Sequence, residues 1–185
     1  MRIISGRHRG TKLLLPPDDL IRPTSDRAKE MIFSTLNSIL SKKKLQFDDM
    51  KVLDFFCGTG GLGIECISRG SKKVCFIDNS KIAIDLTKKN LELIKAQKFA
   101  EIHKLDFRKL KFLSFKADIF FLDPPYNKFK VSEILESIRN ADLIGNKSIG
   151  ILELPKSTPQ NELVCLKIIK EKKVSNSLFL FVETK

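Results

Sequence analysis

Asp123-Pro124-Pro125-Tyr126 stands immediately after the apolar run Ile119-Phe120-Phe121-Leu122, so a carboxylate and a proline carbonyl fall at the end of what reads as a buried strand. An amine attached to an aromatic base is a poor nucleophile, because its lone pair is delocalised into the ring. Hydrogen bonds from that amine to the Asp123 carboxylate and the Pro124 carbonyl would localise the lone pair and aim it. Catalysis of this kind is mainly orientation and electrostatics, and no strongly basic residue is needed. Tyr126 is the only tyrosine beside 14 phenylalanines, and its ring could stack on a base drawn out of its helix. The plainer alternative is a proline-rich turn with an incidental aromatic.

A second group of residues complements the first. The strand-like stretch Lys51 to Phe56 runs into Cys57-Gly58-Thr59-Gly60-Gly61-Leu62-Gly63 and then a helical pattern, which places a GxGxxG spacing in its required strand-to-helix context. Gly58, Gly60 and Gly63 permit a tight turn and close backbone approach, and the N–H groups at the helix start face a ligand. Asp78 ends the next strand, Val74 to Ile77, where a carboxylate can accept from both hydroxyls of an adenosine ribose; the alternative is an ordinary helix cap. The glycines alone do not separate a dinucleotide from S-adenosylmethionine. Asp54 favours the latter, because an acid before the glycines repels a pyrophosphate and attracts an ammonium and a sulfonium. An acid that only satisfies loop N–H groups is the structural alternative.

Charge points to the partner. Lys+Arg number 34 against 22 Asp+Glu, a formal net charge of +12, whose simplest explanation is a polyanion such as nucleic acid. Residues 1 to 44 carry ten basic and four acidic residues, 10 - 4 = +6. Five of the eight arginines lie there, at Arg2, Arg7, Arg9, Arg22 and Arg27, and a guanidinium matches phosphate bidentately where an ammonium does not. Arg7, Arg9, Arg22 and Arg27 are therefore candidate phosphate contacts, with bracing of the first helix as the alternative for the last two.

The elements that must position these groups follow from periodicity. Arg2 to Ile4 and Thr11 to Leu15 predict a short hairpin before the Pro16-Pro17 break. Thr24, Ser25 or Asp26 can cap a helix with apolar positions at Ala28, Met31, Ile32, Leu36, Ile39 and Leu40. Strand and helix then alternate: Val52 to Phe56, Leu62 to Arg69, Val74 to Ile77, Lys81 to Ile94, Glu101 to His103, Ile119 to Leu122, Val131 to Arg139 and Ile149 to Leu152. This predicts an α/β fold with a doubly wound, mostly parallel sheet. Leu163 to Ile169 and Ser177 to Val182 predict a closing antiparallel ribbon. Asp123 and the glycine loop meet only if their strands are neighbours.

Length and composition exclude much else. With 185 residues and 42% hydrophobic content, a single domain is expected, with residues 1–44 as a basic extension suited to a polyanion and 45–185 as the core that carries the two motifs. The longest apolar run is Leu178 to Val182, too short for a membrane span, and the basic start lacks the apolar stretch of a secretory signal; a cytoplasmic protein is expected. Cys57, Cys66, Cys75 and Cys165 form no CxxC pair, so no metal site is expected.

The chain resembles the RsmD family of bacterial 16S ribosomal RNA guanine-N2 methyltransferases. The resemblance rests on Arg2-Ile3-Ile4-Ser5-Gly6 with Arg9-Gly10, on RPTSDRAKEMIF from Arg22 to Phe33, on DFFCGTGGLGIECISRGS from Asp54 to Ser71, and on Asp123 to Tyr126. It departs at Leu105, where the family often has glycine, and at Val174-Ser175-Asn176-Ser177, which lacks a tyrosine-glycine turn. The resemblance implies a class I methyltransferase fold, S-adenosylmethionine as methyl donor with no metal, and a monomer acting on 16S rRNA in the assembling 30S subunit. It places Asp54, Gly58, Gly60, Gly63 and Asp78 at the cofactor, with Asp106 and Phe107 on the adenine side, and Asp123, Pro124 and Tyr126 at the target base. A nicotinamide oxidoreductase, an adenine-N6 methyltransferase and a non-catalytic RNA-binding assembly factor are the rival readings; the first accounts for neither the DPPY tetrapeptide nor the charge.

Overall fold

The computed structural model describes residues 1–16, 24–125, 129–158, 163–174 and 177–185. Seven strands form one sheet: β1 (Lys51–Phe55), β2 (Lys73–Asp78), β3 (Ala100–Lys104), β4 (Ala117–Leu122), β5 (Ile144–Pro155), β6 (Leu166–Val174) and β7 (Ser177–Thr184), in the order β3-β2-β1-β4-β5-β7-β6. β1 to β5 pair in parallel and β7 is antiparallel to both β5 and β6. The order reverses between β1 and β4, which puts the crevice for a ligand at their carboxyl ends. The neighbouring order that the two motifs require is thus present.

Strand alternation divides the core between the two faces of the sheet. Val52, Val74, Phe76, Ile119, Phe121, Ile149, Ile151, Phe179 and Phe181 pack on one side with α1 (Asp26–Lys42), α2 (Gly61–Ser68) and α3 (Lys81–Leu93). Leu53, Phe55, Phe120, Leu122, Leu152 and Leu180 face the other side, covered by α4 (Val131–Asn140) and the single turn Phe107–Lys109. α1 begins as expected: the Ser25 side chain caps it by accepting from the Ala28 N–H at 3.2 Å. Phe33 from this helix meets the Phe121 ring, centroids 5.9 Å apart.

The N-terminal hairpin is smaller than its alternation predicts. Only Arg2 and Lys12 form a bridge, supported by Ile3 N–H to Thr11 O at 2.9 Å and Gly10 N–H to Ile3 O at 2.8 Å. Its ends are tied to α1 and α3 through Asp26, Lys29 and Asn90, and its tip to α2. Glu65, fully buried, accepts from the Ile4 and Ser5 N–H groups at 2.9 and 3.0 Å, and from Arg69 Nε at 2.9 Å. Arg7 N–H reaches Ser68 O at 2.8 Å. Gly6, at φ +82°, lies so close that a Cβ would sit 1.9 Å from Ser68 O, so only glycine fits both the backbone and the gap. Lys29 of α1 is also fully buried and donates to Arg2 O; burial pulls its pKa down, while Glu65 and Asp26 pull it back up.

The closing ribbon is present, but β6 continues through Lys170 to Val174, a stretch whose polarity reads as a connection. It is the edge of the sheet, where lysines are favoured because they discourage a further strand from adding. Among the described residues no helix is long and apolar enough to cross a membrane.

Candidate active site

The glycine loop is shaped by its backbone. After β1 the chain passes through positive φ at Phe56 (63°), Gly58 (54°) and Gly60 (76°) before α2 starts. Gly60 is the helix N-cap in a left-handed conformation, available to glycine at no steric cost. Gly63 serves packing: a Cβ there would lie 2.3 Å from the Phe76 ring of β2, so α2 can lie this close to the sheet only without one. α3 braces the loop from the side. Thr87 Oγ1 donates to Gly58 O at 3.1 Å, and Asn90 Nδ2 donates to Thr59 O at 3.0 Å and to Leu14 O at 3.1 Å.

Two carboxylates complete this end. Asp54, 3% exposed, accepts from the Gly63 N–H at 2.8 Å. Burial raises its pKa to about 7, with Asp78 adding to the rise and the Gly63 bond opposing it. Asp54 therefore braces the start of α2, as the structural alternative has it, and also carries a carboxyl whose charge would be favoured by a nearby cation. Asp78, at the end of β2, accepts from Gly58 N–H at 3.0 Å and from Ser80 N–H at 2.9 Å. It is not the cap of α3; Ser80 is, through the Ala83 N–H. Each Asp78 oxygen keeps acceptor capacity, because an ionised carboxylate offers about four lone-pair sites.

Asp106 follows β3, whose end is tied to Asp78 by Leu105 N–H to Asp78 O at 2.9 Å. Its carboxylate is gripped by Arg108, with Nε at 2.9 Å and Nη2 at 2.5 Å. These bonds and the Arg108 N–H bring its pKa down to about 2. Phe107 is buried, its ring edge-on to Phe129 at 5.0 Å and tilted against Phe56 at 6.4 Å. Asp106 thus lies on the glycine-loop side, while the Phe107 ring is packed inward.

Asp123 stands one residue beyond the end of β4, half-buried, with Pro124 buried behind it. Phe55 of β1 pairs with Leu122, so the loop carrying Asp123 leaves the sheet directly beside the loop carrying the glycines. Burial pushes the Asp123 carboxyl well above the usual carboxylate range, and Glu153 and Asp54 push it further. Glu153, on β5, has no counterpart in the sequence reading. A lone acid between Leu152 and Leu154 looks like the solvent side of a strand, and only the sheet order brings it to Asp123. Tyr126 and Arg22 lie outside the described residues.

The arginines divide. Arg27 is exposed on the first turn of α1. Arg7 and Arg9 are exposed beside the last turn of α2, with Arg7 5.9 Å from the Phe99 ring just before β3. α2 leads from the carboxyl end of β1 to the amino end of β2, so Arg7 and Arg9 are at the opposite end of the sheet from Asp123. An open depression of 480 Å³ between α1 and residues 45–48 contains none of the carboxylates or glycines described above. Among the described residues no group of three or more metal-binding side chains gathers, and the four cysteines are free thiols.

This sheet order, with a glycine loop after β1 and acids within β1, at the end of β2 and just after β4, is that of a class I methyltransferase fold. The chain belongs to the family described as Conserved hypothetical protein 95, whose model matches residues 1–183, the RsmD family that the sequence resembles. Ribosomal RNA small subunit methyltransferase D of Haemophilus influenzae is 37% identical over 137 residues, covering 72% of this chain and 67% of its own length. The Escherichia coli K12 protein of the same name is 28% identical over 156 residues, 83% of this chain and 74% of its own. The crystal structure of HI0767 from Haemophilus influenzae superimposes with a TM-score of 0.77 at 26% identity, covering 99% of this chain and 97% of that one.

Proposed function

We propose that this protein transfers a methyl group from S-adenosylmethionine to the exocyclic N2 amine of a guanine in 16S rRNA of the small ribosomal subunit. The observation that carries the reading is the position of Asp123-Pro124 beside the glycine loop at the β1/β4 reversal. The names of the relatives, which are small-subunit ribosomal RNA methyltransferases, supply the substrate class.

The donor set suits S-adenosylmethionine. When bound, that molecule supplies a methyl carbon made electrophilic by a sulfonium. Asp78 would hold the ribose hydroxyls, Asp106 and Phe107 the adenine side, and the N–H groups at the start of α2, with Asp54 beneath them, the methionine end. Asp123 and the Pro124 carbonyl orient the amine of the base, and Tyr126 stacks on it. Once a fourth bond forms to nitrogen its proton becomes acidic; Asp123 offsets the positive charge that develops there. Residues 1–44 act as the RNA-contacting extension of a core spanning 45–185, with Arg7, Arg9, Arg22 and Arg27 on phosphates.

The test uses the purified protein, methyl-labelled S-adenosylmethionine and small subunits from cells lacking the gene, followed by mass analysis of the nucleosides. N2-methylguanosine is the expected product. N6-methyladenosine would replace the guanine reading with the adenine one, and no transfer would overturn the enzyme.

A further inference from the structure

The carboxyl end of the sheet holds the glycine loop and Asp123. Towards the opposite end lies a concave surface that takes no part in the proposed reaction, the open depression of 480 Å³ between α1 and residues 45–48. Its volume falls within the roughly 300 to 1,000 Å³ typical of small-molecule sites. One wall is a fixed run of planar groups. Arg69, which follows the last turn of α2, sets its guanidinium 4.5 Å from the centroid of the Phe33 ring, and Phe33 meets Phe47 at 6.2 Å and Phe121 of β4 at 5.9 Å. Buried Glu65 holds the guanidinium in place by accepting from its Nε at 2.9 Å. Phe33 covers one face, so Arg69 offers the depression its other face and its Nη edge.

Polar side chains surround this plane with nothing to hold. Asn37, Gln46 and Asp48 line the same depression, are exposed, and make no side-chain hydrogen bond among the described residues. Charge then separates the interior from the rim. Inside, Arg69 is paired with Glu65 and Asp48 has no basic partner, so a phosphate is not attracted there. At the rim, Lys42 and Lys44 stand exposed between the lining residues Ser41 and Leu45, and Arg7 and Arg9 stand beside the last turn of α2.

A flat, uncharged group with donors and acceptors on its edge fits the interior, and an anionic chain fits the rim. An RNA nucleotide has both parts, since an unpaired base stacks on a guanidinium plane and bonds through its edge while its phosphates stay outside on basic side chains. We propose that this depression is a second nucleotide site, which takes the base of an unpaired RNA nucleotide other than the target, stacked on Arg69 and donating to Asp48. The inference rests on the reading of RNA as the substrate and adds a contact at the far end of α2 from Asp123. An acid on an RNA-binding surface gives the proposal a sign. As a solvated charge Asp48 repels a polyanion, and its removal tightens binding; as an acceptor for a base, its removal weakens binding.

The experiment measures affinity for a single-stranded oligoribonucleotide of mixed sequence and for an abasic oligomer of the same length, which keeps ribose and phosphate but has no bases. Wild type should prefer the base-bearing strand. Asp48→Ala should bind that strand about tenfold more weakly than wild type does, the low end for a hydrogen bond to a charged group. It should bind the abasic strand as well as wild type or better, and keep the wild-type dependence on salt, because no phosphate contact is lost. Arg69→Lys keeps the charge and removes the plane, so its loss should also be confined to the base-bearing strand. A thermal melt shows which variants are folded, and exposed Asp48 decides the matter if Arg69→Lys is not.

Equal or tighter binding of the base-bearing strand by folded Asp48→Ala overturns the proposal. An equal loss for both strands overturns it too, since that marks a general disturbance of the surface. The RNA reading is judged separately on the wild-type protein. If it binds neither the strand nor small subunits, that reading and this inference fall together. Binding to small subunits without a preference for the base-bearing strand, or with a preference that Asp48→Ala retains in full, overturns the inference alone.

Discussion

Replacing Asp78 by alanine gives a quantitative test of the cofactor end of the site. Its carboxylate already accepts from the Gly58 and Ser80 N–H groups at 3.0 and 2.9 Å. Those two bonds form without any ligand, so to first order they contribute to stability and not to the binding free energy. What remains is the pair of ribose hydroxyls, and hydrogen bonds to a charged group are worth about 1.5 to 3 kcal/mol. The expected loss is therefore about 10- to 150-fold in Kd. Calorimetry on S-adenosylhomocysteine and on its 2′,3′-dideoxy analogue separates a direct contact from a disturbed loop. Wild type should favour the hydroxylated ligand by that factor, and Asp78→Ala should bind the two nearly equally, since the two deletions remove the same bonds. If Asp78→Ala keeps the full discrimination between the ligands, the carboxylate acts only through Gly58 and the ribose assignment is wrong.

Other perturbations probe the remaining parts. Asp123→Ala should leave S-adenosylmethionine affinity nearly intact and abolish most single-turnover transfer, the pattern of a group acting on the transition state; near-normal transfer in a folded variant would make the proline loop structural. Asp54 has a folded pKa of about 7, above its unfolded value of about 3.9, so its contribution favours folding at low pH and is lost as pH rises from about 4 through about 7. Asp54→Asn keeps an acceptor for the Gly63 N–H and cannot titrate, so urea midpoints should move in favour of the variant between pH 5 and pH 8; a constant difference would contradict the shift. Neutralising Arg7 and Arg9 together should flatten the salt dependence of RNA binding by up to ~2 in slope, and an unchanged slope would place the footprint elsewhere. Gly63→Ala should lower stability by about 1 to 3 kcal/mol through overpacking against Phe76, read as a lower Tm; an unchanged melt would mean that the ring moves aside.

What the sequence reveals and what it conceals separate by range. The strand, glycine loop and helix from Lys51 to Ser68 are legible because period and glycine spacing are local properties, and the cap of α1 is legible to within Thr24, Ser25 or Asp26 for the same reason, the bond to Ala28 N–H singling out Ser25. The adjacency of Asp123 to that loop is not local: it depends on β4 pairing with β1 across more than sixty residues. Glu153 is hidden one step further, since its meaning comes from β4 and β7 on either side. Glu65 and Lys29 read as ordinary exposed helix charges, yet both are buried because the N-terminal hairpin needs partners for its N–H and C=O groups. Arg108 takes both oxygens of Asp106 from only two residues away, a contact created by the single tight turn at Phe107–Lys109. β6 runs past its apolar stretch because the ladder with β7 supplies what the lysines do not.

The mooring of the N-terminal hairpin on α2 has a mechanical side. The first turn of that helix is the floor of the glycine loop, and its last turn holds the backbone of Arg7 and lies beside Arg9. Eight residues of helix span about 12 Å, and a helix packed against the sheet through Gly63 and Phe76 does not stretch. On the proposed reading α2 is then a ruler. An RNA strand gripped at the arginine end is measured off against a rigid length before its base can reach Asp123, so the choice of nucleotide is partly a matter of distance along the strand. A tether of flexible chain in the same place would bind the RNA without counting.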